Sequence, residues 1–423
     1  MRPRNEFRFP CKLNKKFKPV YTKYGRRKCR KFCVSACICC DSKTIKRFKK
    51  KIVYLFSNPK PLFSRHVTLD RKPQYICLFR ALKHRQKSLG GGSSPWSPTY
   101  DDIISIENLL EAWLEFVRGK RKKKDVQEFG RHLMRNVLAL HRDLANGTYR
   151  HGGYEHFKIS DPKPRDIHKA SVHDRLLHHA LYRKLYPFFD KTFIANSYSC
   201  RIGKGTHRAM NRFRSFYRKV SKNNTRTCWI LKCDIRKFFA SIDHEILLRV
   251  LHKRISDKRI SALLHEIISS FCSTPGVEQR GLPLGNLTSQ LLVNIYMNEF
   301  DQFVKHTLKV KYYIRYADDF VILSHDKRYP LEALSCIKAF LEEQLKLHLH
   351  PDKVFIKTFS SGLDFLGWVH FPDHRVLRTT TKKRMFRRIK AVEHNKQTVQ
   401  SYIGLLSHGN AYKLSTHIAR GVY

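Results

Sequence analysis

Lys311-Tyr312-Tyr313-Ile314-Arg315-Tyr316-Ala317-Asp318-Asp319-Phe320-Val321-Ile322-Leu323-Ser324 decides the fold of this chain. Two runs of β-branched and aromatic residues flank a short polar break, a pattern that predicts strand, tight turn and strand. Two acids at the tip of an otherwise apolar hairpin are costly unless a cation neutralises them, and hard Mg²⁺ prefers carboxylate oxygen. Asp is also an ordinary turn residue. An aromatic-x-Asp-Asp run arises by chance in roughly one chain in ten of this length, so its surroundings must decide its meaning.

The surroundings are strongly basic. The 423 residues carry 84 Lys+Arg against 34 Asp+Glu, a formal net charge of +50. That excess predicts a polyanionic partner, with nucleic acid ahead of an anionic membrane surface. No segment approaches the length of an apolar membrane span. Half of the twelve cysteines crowd into the first forty residues (Cys11, Cys29, Cys33, Cys37, Cys39, Cys40), which is no evenly spread disulfide framework and favours a reducing compartment. No second, separated ligand pair completes a zinc site with them, and the basic stretch before Cys37 fits a signal peptide poorly.

Residues 1–97 read as a basic extension closing on the flexible linker Gly90-Gly91-Gly92-Ser93-Ser94-Pro95. A disordered tail, an upstream stretch outside the functional protein and a folded RNA-binding module all stay open for it. From Asp101 onward, apolar residues at helical spacing predict helices over Ile106–Leu114 and Phe129–Leu144. Tyr154–Ile167 alternates like a hairpin around Asp161-Pro162-Lys163-Pro164-Arg165, and a long helix follows from Asp174. Cys228–Asp234 predicts a buried strand ending in an acid, and Asp243 is the expected N-cap of a helix over His244–Arg254. The region after Val376 is basic and helical.

Asp234 is the partner that the hairpin requires, because it closes an apolar strand where its side chain can leave the sheet. Neighbouring strand residues face opposite ways, so Asp318 and Asp319 reach one metal pair only if the turn re-aims one of them. Asp318 and Asp234 are therefore the expected principal ligands, with Asp319 auxiliary. Two such ions would activate a 3′-hydroxyl and stabilise leaving pyrophosphate.

Asp234-Ile235-Arg236-Lys237-Phe238-Phe239, Gly281-Leu282-Pro283-Leu284-Gly285 and Tyr316-Ala317-Asp318-Asp319 resemble, in order, motifs A, B and C of reverse transcriptases. Leu345–Lys353 resembles motif D, and Leu363-Asp364-Phe365-Leu366-Gly367-Trp368 resembles the primer grip of motif E. The resemblance runs from about residue 100 to 420. It implies an α+β right-hand polymerase with an antiparallel palm sheet: fingers over 98–228, palm over 229–360, primer grip and thumb over 361–423. It also implies two Mg²⁺ ions, with Mn²⁺ as the alternative.

Residue roles carry over from the same resemblance. Phe239 matches the steric gate that excludes a ribose 2′-hydroxyl, with Phe238 the expected core member of the pair. Lys163 and Arg165 match the residues that hold the incoming triphosphate. Lys353 matches the lysine that protonates pyrophosphate. Arg201 and Lys204, in a Gly203-Lys204-Gly205-Thr206 stretch lacking a P-loop frame, match a nucleic-acid-contacting element, as do Leu366 and Gly367 in the primer grip. Leu284-Gly285-Asn286-Leu287-Thr288-Ser289-Gln290 has the aliphatic-Gly-x3-Ser-Gln form similar to diversity-generating retroelement enzymes, as does the segment Ser401–Tyr412. Leu284 in place of a polar Gln removes donor and acceptor next to the nascent base pair, and Gly285 and Gln290 share that position. Gln290, Asn294 and Asn298 recur every four residues as a polar stripe expected to face template or primer, or else solvent.

The family implies deoxynucleoside triphosphates, a template RNA and a cDNA primer or product as partners, together with a small basic helical accessory protein. It also implies a cytoplasmic location in a bacterial, archaeal or phage-encoded system. The function expected is RNA-directed DNA synthesis, error-prone at template adenines. Group II intron-like, retron-like and catalytically inert RNA-binding proteins are the rivals. Nothing resembles a nuclease domain.

Overall fold

The computed structural model describes residues 97–160, 164–273, 279–391 and 395–421, all within the unit Pro95–Tyr423. The basic extension, its cysteines and linker, and Lys163 lie outside the described residues.

Helix α1 (Tyr100–Ile104) opens on a reciprocal capping box between Thr99 and Asp102, and α2 (Ile106–Phe116) is capped by the Ser105 hydroxyl. Leu109, Ala112, Trp113 and Phe116 form the buried stripe of α2, as the spacing predicts. The single helix expected up to Leu144 is two helices, α3 (Lys124–Arg131) and α4 (Leu133–Ala145). His132 breaks them at φ −116° and ψ 31°. Gly130 seats there against the Trp113 ring, and the Phe129 carbonyl accepts from His132 N at 3.3 Å and from Asn136 Nδ2 at 3.0 Å.

Strands β1 (Tyr154–Ile159) and β2 (Arg165–Ala170) form a separate antiparallel hairpin. It leads into α5 (Val172–Asp190), which Ser171 caps, and then α6 (Thr206–Val220). β3 (Trp229–Asp234) is followed by a 3₁₀ turn at Phe238–Ser241, by α7 (His244–His252) on its expected Asp243 cap, by α8 (Lys258–Ser269) and by α9 (Leu287–Gln302).

β4 (Tyr313–Tyr316) and β5 (Asp319–Ser324) are the predicted hairpin. After α10 (Arg328–Leu345), β6 (Phe355–Thr358) completes an antiparallel sheet of order β4-β5-β3-β6. Strand periodicity divides the core across this sheet. Leu231, Cys233, Phe320 and Ile322 join the large cluster with α5 and α9, while Ile230, Val321 and Leu323 join α6 on the other face.

Strands β7 (Leu363–Phe365), β8 (Trp368–His370) and β9 (Arg375–Leu377) form a second antiparallel sheet. The tight link Leu366-Gly367 has both residues at positive φ, 54° and 86°. Three helices close the chain: α11 (Thr379–Ala391), α12 (Lys396–Leu406) and α13 (Tyr412–Ala419). They bury Met385, Ile389, Leu406 and Ile418 against Trp368 and Met210. The fold is mixed α and β with antiparallel sheets, as expected. Among the described residues, no helix is long and apolar enough to cross a membrane.

Candidate active site

The pairing of β3 with β5 sets Asp234 directly opposite Asp319 at one end of the four-stranded sheet. Asp318 precedes it in the turn, and Ala317 supplies the re-aiming that the sequence demands. Its φ of 56° is left-handed, an unusual conformation for alanine that must be held in place. The holding group is Arg315, whose Nη1 donates to the Ala317 carbonyl at 3.0 Å.

Arg315 is fully buried. Its Nε and Nη2 donate to Asp301 at 2.8 and 2.6 Å, and Nη2 also reaches the Ser197 hydroxyl at 3.1 Å. Tyr313 adds a third donor to Asp301 at 2.8 Å. A buried charge pair survives only when its hydrogen bonds are satisfied, and this one is. Sequence reading missed it. The signal was a lone Arg inside an apolar strand and a lone Asp near the end of an apolar helix.

The acids are short of positive charge. Burial, together with the nearby Asp234 charge, raises Asp318 above the usual carboxylate range. Burial pushes Asp319 up to about 7 against relief from the nearby Lys232 cation, and the Asp234 and Asp318 charges add to the rise. Lys232 Nζ lies 3.4 Å from Asp319 Oδ2 and donates to the Asp364 carbonyl at 2.9 Å, so it ties the acid site to β7. Lys353 Nζ donates to Asp234 Oδ1 at 3.0 Å. Asp319 Oδ1 is buried without a hydrogen-bond partner.

An all-oxygen donor set with an orphaned carboxylate atom has the chemistry and charge deficit that a hard divalent cation satisfies. Among the described residues, no three His, Cys, Asp or Glu side chains are gathered closely enough to hold a metal. The site is thus matched in donor type but not closed, with two lysines resting on two of its three acids.

Around the acids, Phe238 is buried in the core and Phe239 is half-buried beside it in a T-shaped pair. The Phe239 carbonyl accepts from Leu282 N at 2.8 Å, so the 3₁₀ turn is joined to the segment before α9. Leu284 is half-buried and Gly285 exposed. Gly285 has φ 113°, and a Cβ there would lie 3.0 Å from Ile167 Cγ2. Arg165 is exposed on β2, and its charge is among those that lower Asp318. Gln290 is half-buried in the first turn of α9, and Leu366 packs between two core clusters.

Two expected nucleic-acid contacts, Arg201 and Asn294, are corrected by their burial. The Arg201 side chain is 5% exposed, ion-paired to Asp190 at 2.7 Å and bonded to the carbonyls of Ile194 and Ser197. Lys204 Nζ donates to the Ala195 carbonyl at 2.8 Å. Asn294 is buried, and its Nδ2 donates to the Ser199 carbonyl at 3.0 Å. Within the amide stripe on α9, Asn294 fastens the helix to the segment around Ser197, which runs beside β4, Asn298 is buried and accepts from Gln302, and Gln290 alone stays half-buried. A four-residue polar period marks a helix face, and nothing in it says what covers that face.

Several known proteins are similar to this chain. Protein YkfC of Escherichia coli is 27% identical over 273 residues, which cover 56% of this chain and 69% of YkfC. The group II intron-encoded protein LtrA of Lactococcus lactis subsp. cremoris is 22% identical over 59% of this chain, which spans 51% of LtrA. Among solved structures, apo telomerase from Candida tropicalis gives a loose likeness, with a TM-score of 0.39 at 14% identity over 59% of each chain. The family model described as reverse transcriptase (RNA-dependent DNA polymerase) matches residues 159–370, half of the chain, with Asp234, Asp318 and Asp319 inside it; the chain belongs to that family.

Proposed function

We propose that this chain copies an RNA template into DNA, joining a primer 3′-hydroxyl to the α-phosphate of a deoxynucleoside triphosphate. The observation that carries this reading is Asp234 facing Asp319 across β3 and β5, with Asp318 in the adjoining turn. In the proposal, Asp234 and Asp318 hold two divalent ions, Mg²⁺ or Mn²⁺, with Asp319 auxiliary to them. Bound there, the ions would lower the pKa of the 3′-hydroxyl and neutralise charge on the leaving pyrophosphate. In the same proposal Lys353 gives its proton to pyrophosphate; its contact with Asp234 supports this role. Phe239 excludes the ribose 2′-hydroxyl, Arg165 and Lys163 hold the triphosphate, and Leu284, Gly285 and Gln290 border the nascent pair.

In the same reading residues 98–228 are fingers, 229–360 palm, and 361–423 primer grip with Leu366 and Gly367, followed by a thumb. Residues 1–97 form a basic extension. Helix α11, with Lys382, Lys383, Arg387, Arg388 and Lys390 and no acid, suits a phosphate backbone.

The finer proposal is a diversity-generating enzyme that miscopies template adenine and works with a small basic accessory protein. The Leu284-Gly285-x3-Ser289-Gln290 form supports it. Similarity to LtrA supports a second reading, a group II intron-type enzyme.

Primer extension on an RNA template with deoxynucleotides and Mg²⁺ tests the activity. Asp318→Ala is expected to lower extension by at least about a thousandfold with primer–template binding retained; full activity in that variant would end the proposal. Leu284→Gln, read by sequencing products from an adenine-rich template, is expected to reduce misincorporation, and an unchanged error spectrum removes Leu284 from the account.

A further inference from the structure

We propose that Asn286 is a positioning residue that locks the β1–β2 hairpin onto the Leu284 loop and so sets nucleotide affinity. This rests on the polymerase reading above and deepens it. Antiparallel strands turn alternate N–H and C=O groups toward their partner or away from it. On β2, His168 and Ala170 turn theirs away from β1, and an edge of this kind requires a partner. The loop before α9 supplies one. His168 N donates to the Leu284 carbonyl at 3.0 Å. Asn286 Nδ2 donates to the His168 carbonyl at 3.0 Å, and Asn286 Oδ1 accepts from Ala170 N at 3.5 Å. The carboxamide thereby stands in for one residue of backbone and continues the ladder where the chain turns into the helix.

Two further observations separate this from ordinary helix capping. Asn286 occupies the N-cap position of α9, where an Asn side chain normally accepts from the first turn, yet it makes no capping hydrogen bond. Its amide is diverted to the hairpin and is 2% exposed. Gly285 beside it admits Ile167 so closely that a Cβ would sit 3.0 Å from Cγ2. Loop and hairpin are thus fitted at the backbone, and Arg165 lies on the same strand three residues before His168. Loosening the dock would displace Arg165 and the Leu284 carbonyl relative to the acids, while leaving the acids on their own sheet.

Steady-state single-nucleotide incorporation by the full chain tests this, with wild type as the reference. Failure of wild type to extend a primer would defeat the polymerase reading itself. With wild type active, Asn286→Ala is expected to raise the deoxynucleotide KM about five- to tenfold with kcat within about twofold and primer–template affinity unchanged. Asn286→Asp, which keeps the acceptor but sets a carboxylate against the His168 carbonyl, should raise KM at least as far. Asn286→Ser can cap α9 but cannot span to His168; it should retain the KM defect with a wild-type Tm, which a capping role would not produce. Hydrogen exchange at the Ala170 amide should accelerate in Asn286→Ala and Asn286→Ser, which lose its acceptor. An unchanged KM in Asn286→Ser, or a loss confined to kcat, overturns the proposal.

Discussion

At the scale of single residues, Arg315 governs the site without being one of its acids. Removing its cation leaves Asp301 buried and unpaired, a change that typically costs about 3–5 kcal/mol. Arg315→Met is therefore expected to lose about that much in denaturant unfolding. Adding Asp301→Leu should recover most of the stability, because apolar replacement of both partners leaves no uncompensated charge. The double variant still lacks the donor that holds the Ala317 carbonyl. It should fold and yet extend primers poorly, whereas full activity would show that the turn keeps its shape unaided. The three acids were legible in the sequence because their residue type and spacing carry the chemistry. Arg315 and Asn286 were not, since their partners lie far away in the chain and are chosen by packing.

At the scale of elements, strands, caps and the apolar face of α2 were legible, and what covers the polar face of α9 was not. β3, β5 and the Asp243 cap follow from apolar runs and one acid, features that are local by nature. The break at His132 falls beside Gly130, which rests against the Trp113 ring, a tertiary contact with no local signature. The same holds for the joint between α12 and α13. A Cβ at Gly409 would fall 1.9 Å from Trp368 Cζ3, inside a ring that is 1% exposed and cannot yield. Gly409→Ala is expected to cost about 1–3 kcal/mol through overpacking, read as a lowered Tm. An unchanged Tm would mean that the last helices seat independently of Trp368.

For the whole molecule, pH is the accessible variable. Burial pushes His178 down to about 3, and His179 and His370 down to about 4. An unfolded histidine titrates near 6.5, so these three contribute full stability above that pH. As pH falls from 6.5 toward 4, the unfolded chain binds protons that the folded chain refuses, at about 1.4 kcal/mol per pH unit per histidine. Asp174 acts in the same direction at lower pH. Against the cost of burial, the nearby His173 ring and hydrogen bonds from Ser171 and Tyr149 hold it well below the usual range. Asp319, raised to about 7, opposes them by taking up a proton in the folded state. The histidines outnumber it, so Tm should fall steadily between pH 6.5 and 4.5, and more steeply in Asp319→Asn. A flat profile would contradict the burial of these imidazoles as neutral groups.

Helix α9 joins two of these features end to end. Asn286 at its start holds the hairpin, and Asp301 near its finish holds Arg315 and, through it, the turn of acids. A helix advances about 1.5 Å and turns about 100° per residue, so the two ends keep a fixed distance and a fixed angle. One residue inserted between them would swing Asp301 away from Arg315 while Asn286 stayed in place. The composition of α9 can drift wherever the core tolerates it, but its length cannot, and length variants among related chains should fall in the connecting loops instead.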